Sequence, residues 1–129
     1  MTTQQIYQAL RARLNTLANK PAIAYINEGY EPTAGTPWLE ESFLPANNEG
    51  LTATGNEQAQ TGIYQITVNY PAGQGVAAAQ AQAEAVAALF ARGTTFGGLI
   101  IDSADIEGHS IGGGWLQIPV SVVYRGYRN

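Results

Sequence analysis

Residues 114–125 alternate with a period of two, placing Leu116, Ile118, Val120, Val122 and Tyr124 on one face. That period belongs to a strand buried on one side, and no helix reproduces it. Residues 62–70 repeat the pattern, with Tyr64, Ile66, Val68 and Tyr70 opposed to Ile63, Gln65, Thr67 and Asn69. Two strands that are each dry on one side require a covering layer.

Two helical stretches can supply it. The spacing of Ile6, Leu10, Leu14 and Leu17 predicts a helix over about 3–18, capped by Thr2 or Thr3 and stopped at Lys20-Pro21. The second helix is predicted over 76–91, where nine of sixteen residues are alanine. Val76, Ala79, Ala83, Val86 and Phe90 form its inward stripe, and Gly93 follows at the C-terminal end.

The remaining strands are less regular. Residues 22–26 read as a short strand ended by Asn27-Glu28-Gly29. In 37–44, Leu39, Glu41 and Phe43 share one face, and Trp38, Glu40, Ser42 and Leu44 the other. This strand is expected to pair as a hairpin with 62–70, with the polar loop 45–60 at its tip. Such long loops are functional or disordered, and 47–60 is expected to be mobile in the free chain. A strand over 96–107 carries Leu99-Ile100-Ile101, and Gly108-His109-Ser110-Ile111-Gly112-Gly113-Gly114 reads as a flexible tip. Pro119 cannot donate to a ladder, so the last strand is expected to be an edge or a bulged strand, covered by a neighbouring subunit. The expected fold is a single α+β domain spanning 1–129. A largely antiparallel, mixed sheet of about five strands carries two helices on one face, in the order α-β-β-β-α-β-β.

Charge narrows the function. Six Lys and Arg stand against ten Asp and Glu, and only 12% of the residues are charged. The basic residues are scattered, which argues against nucleic-acid binding. Without cysteine and with one histidine, His109, the chain offers no disulfide, thiolate metal site or histidine cluster. No cofactor is expected. No apolar run approaches the ~20 residues that span a bilayer, and the N-terminus does not resemble a signal peptide.

Catalytic signals are weak. Gly73-x-Gly75-x-x-Ala78 follows a strand and opens a helix, as in a dinucleotide fingerprint. Pro71 and Ala72 intervene, however, and Asp102 lies too far downstream for the ribose acid. A turn with positive φ is the simpler reading, so a small nucleotide-binding protein is the remote alternative. Asp102, Asp105 and Glu107 read as a solvated face and His109 as an exposed loop residue. No serine has an activating base, and the chain is not expected to be an enzyme.

The aromatic residues point to assembly. Trp38 and Trp115 fall opposite the main apolar faces of their strands, and Glu40 shares the face of Trp38. Aromatic residues with few charges nearby suit an interface, although they also suit covering the sheet's second face. Arg125 and Arg128, beside Tyr124 and Tyr127, are expected to meet salt-bridge partners on another subunit. The candidate interface is therefore Trp38, Glu40, Trp115, Pro119, Arg125 and Arg128.

"IYQALRARL", "GTPWLEESFLP", "TGIYQITVNYPAGQG", "RGTTF" and "GGGWLQIPVSVVYRG" occur in that order across nearly the whole chain. This arrangement is similar to the small tail terminator, or tail-completion, proteins of tailed bacteriophages and prophages. The resemblance implies a homo-oligomeric ring, typically a hexamer, that caps the tail tube and ends tube polymerisation. It also implies a docking surface for the head-tail connector protein. The implied partners are other copies of the chain, the tail tube protein and the connector. The implied location is the virion tail, with the host cytoplasm during assembly. No catalytic residue is carried over. A head-completion, neck or tube-like protein is the alternative within phage structural classes.

Overall fold

The computed structural model describes the backbone of residues 2–45, 49–50 and 58–128, and the side chains of 2–45 and 60–126. The elements run α1 (Thr3–Leu14), β1 (Ala22–Ala24), β2 (Trp38–Pro45), β3 (Glu49–Gly50), β4 (Gln58–Pro71), α2 (Ala77–Leu89), β5 (Thr95–Phe96), β6 (Leu99–Ile106), β7 (Ser110–Gly112) and β8 (Trp115–Arg128). The architecture is α+β, a mixed sheet with two helices. The expected five strands are corrected to eight among the described residues, because β3, β5 and β7 are pieces of two or three residues. Such pieces are too short to show a period.

The sheet order is β1-β2-β4-β8-β6-β5, with β3 on β4 and β7 on β8. Among the described residues only β1 joins in parallel, against β2. The hairpin of β2 with β4 runs from Trp38 opposite Asn69 to Pro45 opposite Gly62. The β4–β8 pairing extends over the full length of both strands. Since β6 is also antiparallel to β8, β4 and β6 run the same way, and β4-α2-β6 is a split βαβ unit.

The last strand is therefore central, neither of the two places expected for it, an edge or a bulge. Pro119 is accommodated by a gap in the neighbouring strand. Pairing of β6 with β8 ends at Ile106 opposite Val120, and β7 resumes at Ser110 opposite Gln117. In that gap Glu107 N–H donates to the Pro119 carbonyl at 2.8 Å. The proline's missing donor would face the same way, toward a place where no strand asks for it. The bulge lies instead in β6, between Ile101 and Ser103.

Two glycine pairs build the hairpins. Gly97-Gly98 (φ 53° and 85°) joins β5 to β6, and Gly113-Gly114 (φ 60° and 85°) joins β7 to β8. Positive φ at both central residues is the type I′ requirement. The expected tip of 108–114 thus contains the short strand β7 and a type I′ turn at Gly113-Gly114.

Both helices cover one face. Thr2 and Gln5 form a capping box at the start of α1. Ile6, Leu10 and Leu14 then bury against Ala79, Ala83, Val86 and Phe90 of α2 and the inward rows of the strands. The first helix ends at Leu14 rather than Ala18, although Leu17 still joins the core. Val76 is corrected from buried to exposed, because it is the N-cap and lies off the packed stripe. At Gly62 a Cβ would lie 2.3 Å from the Tyr124 hydroxyl and 2.7 Å from the Leu44 carbonyl. Only glycine lets the Tyr124 side chain cross β4 there. The described part of the 45–60 loop pairs Glu49 and Gly50 with Ala59 and Gln58. The expectation of mobility for 47–60 falls mainly outside the described residues.

Candidate assembly interface

Three distant segments meet at one end of the helix-free face of the sheet. Trp38 pairs across the ladder with Asn69, and Trp115 with Pro71. The Ala72 N–H donates to the Gly114 carbonyl at 3.0 Å. Trp38 stands edge-on to Trp115 at 5.9 Å between ring centroids, and Tyr30 packs on it at 5.5 Å. Gln117 Nε2 donates to Asn69 Oδ1 at 2.9 Å, which holds the buried amide in place beside the rings. Trp38 is consequently only 8% exposed, and Trp115 is half-buried. The tryptophans cover the second face at this end, and most of the Trp38 surface is already taken by its own chain.

Glu40 and Pro119 belong to the next cross-strand row, flanking Thr67. Glu40 is exposed and Pro119 half-buried. Four of the six expected interface residues thus share one half of this face. Arg125 lies at the far end, where it pairs with Asp102 of its own chain at 3.1 Å. The β6 bulge swings the Asp102 carboxylate within reach, a partner within the chain beside the one expected on another subunit. The Arg128 side chain lies outside the described residues. Between Glu40 and Arg125 the outward residues of β2, β4 and β8 are uncharged, and Leu44, Ile63 and Val123 form an apolar row across them. Leu44 is 55% exposed and Ile63 36%.

The opposite face holds a polar group that sequence reasoning passed over. Glu41 points inward, and its Oε1 accepts from the Tyr7 hydroxyl and, at 3.0 Å, from the Ile26 N–H. Its Oε2 accepts from the Tyr64 hydroxyl. Burial, then donation to Glu41, pushes the Tyr7 hydroxyl up to about 12. The same two causes raise Tyr64 still further. Burial alone pushes Tyr124 up to about 12. Beside this cluster Arg11 stacks over the Tyr25 ring at 3.8 Å and pairs with Glu28 at 2.5 Å. The clasp ties α1 to β2, β4 and the turn after β1. Its signal was an acid between Leu39 and Phe43 on an apolar face.

Among the described residues, no three His, Cys, Asp or Glu side chains gather closely enough to hold a metal. Asp105, Glu107 and His109 are exposed. Gly73 and Gly75 both have positive φ, as a turn into a helix requires. No described helix is long and apolar enough to cross a membrane.

The family model for phage tail terminator proteins matches residues 5–124. The chain belongs to the phage tail terminator family. Membership gives it a structural role in a phage tail, in company with other tail or head proteins. One solved structure aligns over 98% of this chain and 96% of its own, with 25% sequence identity and a TM-score of 0.74. No curated protein matches the sequence. The family match spans both the aromatic end of the open face and the Glu41 clasp.

Proposed function

We propose that this terminator-family chain assembles into a homo-oligomeric ring, taken as a hexamer, that caps the tail tube. The ring ends polymerisation of the tube protein and presents a docking surface to the head-tail connector. The role is structural rather than enzymatic, and it is exercised in the virion tail after assembly in the host cytoplasm. The observation that carries this reading is the family match over residues 5–124. The geometry supports it: a helix-free sheet face, uncharged between Glu40 and Arg125 across three strands, is suited to contact with other proteins.

The test uses purified protein, alone and with tube protein. Light scattering and negative-stain images should show rings, and added protein should shorten tubes grown in vitro. A species that stays monomeric, binds no tube end and leaves tube length unchanged overturns the reading.

A further inference from the structure

The four strands β2, β4, β8 and β6 form an antiparallel block whose two outer edges are open over the same rows. β1 covers β2 only from Trp38 to Glu40, because β1 ends at Ala24. β5 covers β6 only at Leu99 and Ile100, with Ile101 bonded to Gly93 and Thr94. Among the described residues, no strand lies outside Glu41–Leu44 on β2 or Ser103–Ile106 on β6. Following the register across the block, Leu44 shares a row with Ser103, Ser42 with Asp105, and Glu41 with Ile106. The two free stretches have the same length and the same height.

Their directions match too. β2 and β8 run one way, and β4 and β6 the other. A second copy set beside the first brings its β2 against β6 in antiparallel order, which continues the alternation of the sheet. Neither stretch carries a lysine or an internal proline, two usual guards of an open edge; each does carry one carboxylate, Glu41 pointing inward and tied up in the clasp, and Asp105 on β6. Exposed apolar side chains sit at both: Leu44 (55%) and Ile26 (43%) by β2, and Ile106 (38%) on β6. Beyond Ala24 the chain turns away through Asn27 and Gly29, both with positive φ, leaving a notch of about 540 Å³ against β2.

We propose that copies of this chain join head to tail through these edges, β6 of one copy pairing with β2 of the next. The occupant of each edge is a second copy, so the sheet runs continuously through the assembly. A contact between two different surfaces repeats with a constant rotation, and it closes as a ring when the rotation permits. This inference rests on the ring reading of the family and specifies which surfaces make the ring.

Two edge-blocking variants test it. Leu44→Lys places a charge beside the β2 edge, and Ile106→Lys beside the β6 edge; both positions are already exposed. Each variant alone should sediment as a monomer under conditions where the parent assembles. Mixed one to one, they should form dimers and nothing larger, because one intact edge remains on each. In the parent assembly, the edge-facing amides within 42–44 and 103–106, every second residue, should exchange at least about tenfold more slowly than in the variants. An assembly in which these amides exchange freely overturns the edge pairing while the ring reading stands. A parent that never self-associates overturns both. Protection of the edges that appears only when tube protein is added assigns them to that partner and refutes pairing between copies.

Discussion

Replacing Tyr64 by phenylalanine removes one oxygen and leaves the ring packed at 6.0 Å from Phe90. The hydroxyl is fully buried and donates to Glu41 Oε2, for which no second donor is present among the described residues. A hydrogen bond to a charged group contributes about 1.5–3 kcal/mol. Because the substitution also strands a buried carboxylate oxygen, Tyr64→Phe should cost about 2–3 kcal/mol. Tyr7→Phe should cost only about 1 kcal/mol, since Oε1 keeps the Ile26 N–H as a donor. Glu41→Ala leaves the Tyr64 hydroxyl and the Ile26 N–H without acceptors and opens a cavity, for about 3–5 kcal/mol. In that background the Tyr64 hydroxyl has no acceptor to lose, so adding Tyr64→Phe should cost nothing further. The coupling between the two changes is then at least about 2 kcal/mol. Urea unfolding followed by tryptophan fluorescence, at one fixed protein concentration, measures all the variants. An equal cost of Tyr64→Phe in both backgrounds, or a cost below about 1 kcal/mol for Glu41→Ala, refutes the clasp as a buried, coupled unit.

Gly62→Ala drives a methyl into the Tyr124 hydroxyl and the Leu44 carbonyl; the strain should cost about 1–3 kcal/mol in denaturant unfolding. Adding Tyr124→Phe should recover only part of that loss, since Tyr124 Cζ and the Leu44 carbonyl both stay 2.7 Å from the new methyl. The folded-state values of Tyr7 and Tyr124 lie above the unfolded value of 10.0, and Tyr64 is raised in the same direction. Their contribution is therefore complete below pH 10 and is lost as pH climbs toward about 12. A stability-versus-pH series should fall in that window and fall less steeply in Tyr7→Phe. Thr2→Ala removes the oxygen that accepts from Gln5 N–H at 3.1 Å; it should lower stability by about 1 kcal/mol, with exchange accelerated at the first turn of α1.

What the sequence disclosed follows from where periodicity is strong. The inward residues of β4 and β8 and the stripes of α1 and α2 were legible, because a single face decides each of them. The short strands β5 and β7 were not, since two or three residues carry no period. Their turns were nevertheless written in Gly97-Gly98 and Gly113-Gly114, which admit positive φ at both central positions. Pro119 misled for a physical reason. A proline needs only the absence of a partner on its own N–H side, and a break in one neighbouring strand provides that as well as a sheet edge does. The Arg125–Asp102 pair was not legible, because it depends on a bulge that shifts Asp102 out of the regular alternation. Glu41 is the instructive omission. An acid at an inward position of an apolar strand has to be paired if it is buried, and the donors come from three other segments, around Tyr7, Ile26 and Tyr64. Their convergence is a property of the folded chain, so the sequence could mark the need for partners without naming them. The open edges have the same standing. Each is invisible in its own strand and appears only when the register is followed across all four strands, which is why the assembly surface argued from them differs from the aromatic one expected from composition.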